Sequence, residues 1–225
     1  QVLSLLRGSL DQGRGEVRRR FLEEGETGHA TVRANCFLID QLLRLLYDHV
    51  TQRLYPLPNP SAGERLALIA TGGYGRGELA PGSDIDLLFL YSYKLTARTE
   101  QVIEELLYFL WDLGLKVGQA ARSVDDCLRQ ARADLTIRTT LLEMRYLWGD
   151  QDLYKELKTR YQGEIRGKDP ARFIEAKLGE RDQRHKKHGS SRYILEPNIK
   201  DGKGGLRDLH TLFWIAKDVY RVDEI

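Results

Sequence analysis

The stretch LALIATGGYGRGELAPGSDIDLLFLY, Leu66 to Tyr91, decides the fold of this chain. It opens with an apolar run, Leu66 to Thr71, and closes with a second one, Asp84 to Tyr91. Short apolar runs bounded by glycine and proline predict buried β-strands. Between them lie a glycine-rich turn, residues 72–77, and a short helical or looped connection, residues 78–82. The stretch therefore predicts two strands joined by a glycine-rich segment.

Two aspartates, Asp84 and Asp86, stand at the mouth of the second strand. Side chains alternate along a strand, so residues two apart point to the same face, about 6.6 Å apart. Two carboxylates directed at one spot repel each other unless a positive charge lies between them, and hard oxygen ligands of this kind suit Mg²⁺. The preceding glycines offer backbone N–H groups, which bind phosphate. A metal beside a phosphate cradle predicts a nucleotide site.

Each of these two features has a plainer interpretation when it is taken alone. Residues 72–77 do not form a P-loop, because no Gly-Lys-Ser/Thr follows, and their spacing is not that of the dinucleotide fingerprint. A tight glycine-rich turn explains them equally well. A pair of aspartates near a strand end is more often a solvated edge or a helix cap than a metal site. The prediction therefore rests on the combination.

The amino-acid composition indicates which classes of protein the chain can belong to. The chain has 225 residues, 41% hydrophobic and 30% charged, which is typical of a globular protein with one large domain or a domain plus a helical appendage. Lys and Arg (35) nearly balance Asp and Glu (33), so the net charge does not favour a nucleic-acid partner. The concentrated basic run, residues 181–188, has no interleaved aromatic residues. We expect no nucleic-acid substrate.

The compartment is predicted from features that the sequence lacks. Cys36 and Cys127 form neither a metal motif nor a disulfide framework and read as small buried residues. No apolar run reaches the roughly 18 residues of a membrane span, and no signal peptide is visible. We expect a cytoplasmic protein without a membrane partner. A start at Gln1 and an end inside a helical pattern lead us to expect a piece of a longer protein.

The first third of the chain reads as helical. Three glycines (Gly8, Gly13, Gly15) interrupt residues 1–28, and glycine costs up to about 1 kcal/mol in a helix interior, so two short helices are predicted there. Residues 29–54 predict one strong helix whose apolar face consists of Phe37, Leu38, Leu42, Leu45, Leu46 and His49 or Val50. The prolines of residues 55–63 then predict an extended linker.

The remainder predicts one more strand among helices. Residues 115–122 are the candidate third strand, and Ser123 with Asp126 forms a capping box for the helix that follows. Further helices are predicted at residues 99–113, to about residue 132, over 134–161 with a break at 149–150, over 170–188, and from Leu206 onward.

These elements predict an α+β fold with a small mixed sheet flanked by N-terminal helices and followed by a helical domain. We predict N-terminal helices and a linker over residues 1–60, the core over 61–133, and a helical substrate- or nucleotide-binding domain over 134–225.

The combination of motifs resembles a known superfamily. A strand, Gly72-Gly73, and then Ser83-Asp84-Ile85-Asp86 opening an apolar strand is the arrangement of the DNA polymerase beta-like nucleotidyltransferases. GGYGRGELAPGSDIDLL closely resembles the motif of protein-PII uridylyltransferases, the bifunctional enzymes of bacterial nitrogen regulation. EPNIKDGKGGLRDLHTLFWIAK resembles a downstream segment of the same family, as do WDLGLKVGQAARSVDDCL and RADLTIRTTLLEMRYLWGD. The resemblance covers most of residues 60–220.

The resemblance implies a role for each matching residue. Asp84 and Asp86 would hold Mg²⁺ and, through it, the triphosphate of UTP. Gly72 and Gly73 would let the backbone approach the phosphates, with Ser83 as a further contact. The acceptor would be a tyrosine hydroxyl of the PII signal protein, which would become uridylylated with release of pyrophosphate.

Three basic residues are further candidates for phosphate contact. Lys203 and Arg207 lie in a glycine-flanked loop at a predicted helix start, where phosphate oxygens can be bound. Arg76 lies within the glycine-rich segment. Their plainer interpretation is a solvated loop and a surface arginine.

The sequence departs from the superfamily in one respect. Members usually carry a third carboxylate on a following strand, and residues 115–122 contain no acid. Asp125 and Asp126 look like a helix cap, whereas Asp201 and Asp208 lie in the downstream loop. The general base is left open, and so are two other functions: a different nucleotidyltransferase, of the adenylyltransferase type, and a nucleotide-binding module without turnover.

Two other activities of the family are not expected here. The five histidines include no His-Asp pair of the kind that the uridylyl-removing domain uses. We expect a chain that transfers uridylyl groups without removing them or sensing glutamine.

Overall fold

The computed structural model describes residues 1–59, 61–187, 196 and 198–222. Their centre is a sheet of four strands: β1 (Leu66–Ala70), β2 (Ile85–Tyr91), β3 (Val117–Ser123) and β4 (Arg145–Gly149). The order across the sheet is β3-β2-β1-β4. β1 is antiparallel to both β2 and β4, whereas β2 and β3 are parallel. The predicted α+β class with a mixed sheet is confirmed.

Helices make up most of the other described residues. They are α1 (Val2–Glu23), α2 (Gly28–His49), α3 (Gly72–Gly75), α4 (Ala97–Asp112), α5 (Val124–Ala133), α6 (Leu135–Leu142), α7 (Gln151–Glu164), α8 (Pro170–Lys187) and α9 (Leu206–Tyr220). A π-helical turn, Val50–Leu54, extends α2, and Ala62–Glu64 form a 3₁₀ turn before β1. Within the described residues, no helix is both long and apolar enough to cross a membrane.

Several local sequence signals correctly predicted where a helix begins or ends. Gly114 has a φ of +74° and ends α4, as its position predicted. The Ser123 hydroxyl accepts from the N–H of Asp126 at 3.2 Å and begins α5 as an N-cap. α8 and α9 begin where the sequence placed them.

The predicted break of the first helix is wrong, because α1 is one helix of 22 residues. Gly13 lies so close to α2 that a Cβ atom there would be 2.6 Å from Leu38 Cδ1. Leu10 is buried in the same contact region. The helix tolerates its glycines because packing against α2, and not intrinsic propensity, stabilises it.

The apolar face of α2 was also partly misassigned. Phe37 and Leu45 are 64% and 63% exposed, although the heptad-like spacing placed them in the core. Leu42 and Leu46 are buried as predicted, together with Ile39 and Leu43, which the predicted face omitted. A helix with apolar residues on more than one side does not reveal which side is covered.

The helical pattern predicted for residues 134–161, with a break at residues 149–150, contains a strand that was not predicted. β4 is five residues long and pairs antiparallel with β1, almost eighty residues earlier in the chain. A short strand flanked by helices gives little periodicity of its own. Its conformation depends on the hydrogen-bonding edge that β1 offers, which the local sequence does not show.

The chain divides into two compact units. Unit 1 comprises residues 1–127 and 143–158, with the sheet and α1 to α4. Unit 2 comprises residues 128–142 and 159–225, with α6, α8 and α9. The N-terminal helices thus share one core with the sheet, in which Leu46, Leu68 and Phe89 are buried together.

Candidate functional site

The carboxylate of Asp86 lies between two glycines at the start of β2. Asp86 is paired with Gly118 of β3, and a Cβ atom on Gly118 would lie 2.5 Å from Oδ1. A Cβ atom on Gly72 would lie 2.8 Å from Oδ2. Gly72 also has a φ of +57°, which side-chain-bearing residues rarely adopt. Both glycines therefore leave room for a carboxylate.

Asp86 is also connected through its backbone to the glycine-rich segment. Its carbonyl oxygen accepts from the N–H of Thr71 at 3.0 Å, directly before α3 begins. The end of β1, the start of α3 and the start of β2 consequently meet at one place. The side chain of Asp86 is half-buried there.

Asp84 lies one residue before β2 and is exposed, as is Ser83. Two carboxylates near a solvent-accessible edge are a donor set that fits Mg²⁺, which proteins hold through one or two carboxylates while substrate phosphates and water supply the other ligands. No group of three or more His, Cys, Asp or Glu residues with metal-binding geometry exists among the described residues. The assignment of Asp84 and Asp86 as metal ligands stays a prediction.

The glycine-rich turn is a single helical turn, α3, and not an open loop. The first backbone N–H groups of any helix have no hydrogen-bond partner within that helix. The same holds for the first N–H groups of α3. Gly75 packs so tightly that a Cβ atom would lie 2.0 Å from the carbonyl oxygen of Glu143. The position of α3 is thereby set by the chain segment that leads into β4.

Tyr74 holds α3 from the other side. Its side chain is 1% exposed, and its hydroxyl donates to Asp40 Oδ1 at 2.6 Å. Arg145 donates to Asp40 Oδ2 at 2.7 Å and to the carbonyl oxygen of Tyr74 at 3.1 Å. Burial raises the pKa of Tyr74, and the neighbouring Asp40 carboxylate raises it further, so the phenol remains a donor.

The connection after α3 is fixed by α2 as well. Asn35 donates from Nδ2 to the carbonyl oxygen of Leu79 at 2.9 Å, and both residues are buried. Residues 78–82 form a loop that ends in a turn at residues 81–82, and not a helix, so the looped alternative is the correct one. α2 thus contacts the glycine-rich segment at two points.

Arg76 is engaged by two carboxylates. It donates to Glu143 Oε1 at 2.6 Å and to Glu78 Oε2 at 3.0 Å. Burial lowers the pKa of Arg76, but these two acids outweigh that effect and raise it. The guanidinium braces α3 against the segment before β4, and its predicted contact with phosphate stays a prediction.

Lys203 and Arg207 belong to unit 2, whereas the other predicted residues belong to unit 1. Lys203 is exposed and Arg207 is half-buried at the start of α9. The loop before them is closed by Asp208, which accepts from Gly204 N at 2.8 Å and pairs with Arg184 and His185 at 2.6 and 2.9 Å. Their role at the nucleotide stays a prediction.

The sequence reading missed four residues that shape the site: Gly118, Asp40, Glu143 and Arg145. Each acts on α3 or Asp86 from a distant part of the chain. On the acid-free third strand, Gly118 leaves the space that the Asp86 carboxylate occupies, and a side chain there would displace that carboxylate. No local motif marks the other three.

Comparison with known proteins identifies the family. A bifunctional uridylyltransferase/uridylyl-removing enzyme of Rhodospirillum rubrum is 58% identical over the whole chain, and that of Azospirillum brasilense is 58% identical as well. The enzyme of the same name from Novosphingobium aromaticivorans is 53% identical over 98% of the chain. This chain belongs to the family of bifunctional uridylyltransferase/uridylyl-removing enzymes. It spans 24% of the length of each of these relatives.

Two family models match separate parts of this family member. The model described as a nucleotidyltransferase domain matches residues 60–146, which include β1, α3, β2, β3 and β4. The model described as GlnD PII-uridylyltransferase matches residues 172–225, which include α9. The predicted class, a nucleotidyltransferase, is confirmed.

Proposed function

We propose that this chain transfers UMP from UTP to a tyrosine hydroxyl of the PII nitrogen-regulatory protein, in a reaction that depends on Mg²⁺ and releases pyrophosphate. The observation that carries the proposal is the position of Asp86 between Gly72 and Gly118, beside the start of α3. The names of the relatives, which are uridylyltransferases, support the choice of the uridylyl group.

Asp84 and Asp86 would hold the metal ion. When bound, Mg²⁺ neutralises charge on the phosphate oxygens. Residues Gly72 and Gly73 present the start of α3 without side chains, so that backbone N–H groups can approach the triphosphate. Ser83, which is exposed just before Asp84, would contact a phosphate oxygen.

The chemistry is one substitution at phosphorus. The tyrosine oxygen forms a bond to the α-phosphorus of UTP, the bond from that phosphorus to the bridging oxygen breaks, and pyrophosphate leaves. The tyrosine loses its hydroxyl proton to the solvent as the bond forms. Catalysis of this kind consists mostly of positioning and charge neutralisation, which is what a fixed carboxylate beside a fixed helix start provides.

The test is to incubate the chain with PII protein, UTP and Mg²⁺ and to measure the mass of PII. We expect one uridylyl group on a tyrosine, and no modification by the Asp84→Asn, Asp86→Asn double variant. Asp152→Asn, an exposed acid at the start of α7, is the matched control and should retain full activity. An unmodified PII with the wild-type chain would reject the proposal.

The same assay separates the other two functions. Transfer from ATP in preference to UTP would indicate an adenylyltransferase. A wild-type chain that binds nucleotide but is as inert as the double variant would indicate a binding module.

A further inference from the structure

We propose that Asp40 and Arg145 are positioning residues for the nucleotide: acting through Tyr74, they hold α3 in the orientation that receives the triphosphate. This inference rests on the proposed function only in placing a nucleotide triphosphate at α3.

The first argument is that α3 cannot hold its own orientation. It is four residues long, Gly72–Gly75, and three of the four are glycine. A single turn of helix is far below the length at which helices are stable in isolation, and glycine is the least favourable residue for helix after proline. Its geometry must therefore come from contacts to other elements.

The one side chain that α3 possesses is the point of attachment. Tyr74 points into the core, where it is 1% exposed, and its hydroxyl reaches Asp40 of α2 at 2.6 Å. Hydrogen bonds to a charged acceptor are stronger than neutral ones. The bond fixes the far end of the ring, and thereby the rotation of α3 about its own axis.

Arg145 completes the attachment from β4. Its guanidinium lies over the Tyr74 ring at 5.2 Å, donates to Asp40 on one side and donates to the Tyr74 carbonyl oxygen on the other. The side chain and the backbone of Tyr74 are thus held by one group. Cys36 of α2 also contacts this guanidinium, at 3.2 Å between Sγ and Nη2.

The attachment of α3 at Tyr74 is close to the proposed metal ligand, Asp86. Tyr74 follows Gly72 by two residues, and Gly72 lies against the carboxylate of Asp86. A rotation of α3 that moved the Tyr74 ring would move Gly72 and Gly73 relative to Asp86. Misplacement by about 1 Å at such a site can cost as much as a hundredfold in rate.

The same two elements carry a matched contact that does not involve α3. At the C-terminal end of α2, two turns beyond Asp40, Asp48 accepts from Trp148 Nε1 of β4 at 2.7 Å. This hydrogen bond joins an aspartate of α2 to a side chain of β4, as the Asp40–Arg145 pair does. Asp48→Asn therefore tests the general effect of weakening the α2–β4 contact.

The experiment compares Tyr74→Phe and Asp40→Asn with Asp48→Asn. Dissociation constants for UTP with Mg²⁺ and for uridine are measured by ligand-observed NMR, together with Tm, in the absence of PII. We expect the two variants to weaken UTP binding about tenfold and to leave uridine binding unchanged, because α3 faces the phosphates. Asp48→Asn should lower Tm at most and leave both constants unchanged.

Three results would overturn the inference: UTP binding by Tyr74→Phe within about twofold of wild type, an equal loss for UTP and uridine, or the same loss in Asp48→Asn. A wild-type chain that binds no UTP would also overturn it. A wild type that binds UTP but leaves PII unmodified would reject the proposed function alone, because the binding measurement does not require an acceptor.

Discussion

Gly118 and Asp86 face each other across the parallel pair of strands β2 and β3, and the carboxylate occupies the space of the missing side chain. A methyl group on Gly118 would lie 2.5 Å from Asp86 Oδ1, a separation that non-bonded carbon and oxygen atoms do not reach. The glycine is thus a condition for the position of the proposed metal ligand.

Gly118→Ala should displace the Asp86 carboxylate and lower kcat/KM for uridylyl transfer by about a hundredfold. Stability should change little, because Gly118 is exposed and its strand remains paired. Steady-state kinetics and Tm would be measured together. Gln119→Ala, whose side chain points to the opposite face of the strand, is the control; a Gly118→Ala enzyme with the kinetics of that control would refute the prediction.

Gly75→Ala should destabilise unit 1 by about 1–3 kcal/mol, the usual cost of an added methyl group in a packed site. The clash is with the backbone oxygen of Glu143, at 2.0 Å, which cannot rotate away. Urea unfolding measures the change. The control is Gly15→Ala in α1, where nothing lies within 4 Å; there the change should stabilise the helix by up to about 1 kcal/mol. Equal unfolding midpoints for the two variants would contradict the predicted clash between a side chain at position 75 and the backbone of Glu143.

Acid should weaken the contact between β1 and the start of α7. Arg65 donates two hydrogen bonds to Asp150, at 2.8 and 2.9 Å, and these bonds hold the pKa of Asp150 below its ordinary value. A carboxyl with a depressed pKa contributes stability above its unfolded pKa, about 3.9, and that contribution is lost as the pH falls through the folded value. The free energy of unfolding should therefore fall below about pH 4.

Asp150→Asn should abolish this part of the pH dependence, which we expect to be under about 1 kcal/mol because the pair is partly exposed. Unfolding at a series of pH values from about 6 to about 3 would show it. Asp152→Asn, two residues further along α7, provides the comparison. Parallel pH profiles for wild type and Asp150→Asn would rule out the contribution.

Unit 2 depends on a buried ion pair. Arg138 donates from Nε to Asp218 Oδ1 at 3.0 Å, and the two side chains are 7% and 0% exposed. Asp218→Asn would leave the guanidinium buried without its counter-charge, which typically costs about 3–5 kcal/mol.

The matched comparison is Lys155→Gln, which breaks the exposed pair of Lys155 with Asp152 and should cost less than about 1 kcal/mol. Chemical denaturation followed by circular dichroism compares the two. Similar losses in both variants would mean that burial does not set the strength of the Arg138–Asp218 pair.

The parts of the site that lie within one short stretch could be predicted from the sequence. Asp84 and Asp86, Gly72 and Gly73 are all within fifteen residues, and the strand and turn signals around them are local. The class of fold and the family followed from the same stretch. The start of α5 could be predicted for a similar reason, because a capping box is complete within four residues.

The parts that could not be predicted depend on partners far along the chain. β4 is a strand because β1 offers an edge, and α1 stays continuous because α2 packs on it. Asp40 and Arg145 are 105 positions apart and meet only in the folded chain. A buried aspartate on a helix and an arginine at a strand start carry no pattern by which they could be paired.

The contacts of α2 with the residues between β1 and β2 determine which part of this chain could be transferred to another protein. The nucleotidyltransferase domain model begins at residue 60, whereas the groups that fasten the segment, Asn35 and Asp40, precede it. A fragment cut at the proline-rich linker would keep Asp84 and Asp86, the proposed metal ligands, and lose the acceptor for Tyr74. The smallest transferable part of this chain therefore includes α2, and a chimera that exchanges only residues 66–91 would receive the proposed metal ligands without the contacts that align α3.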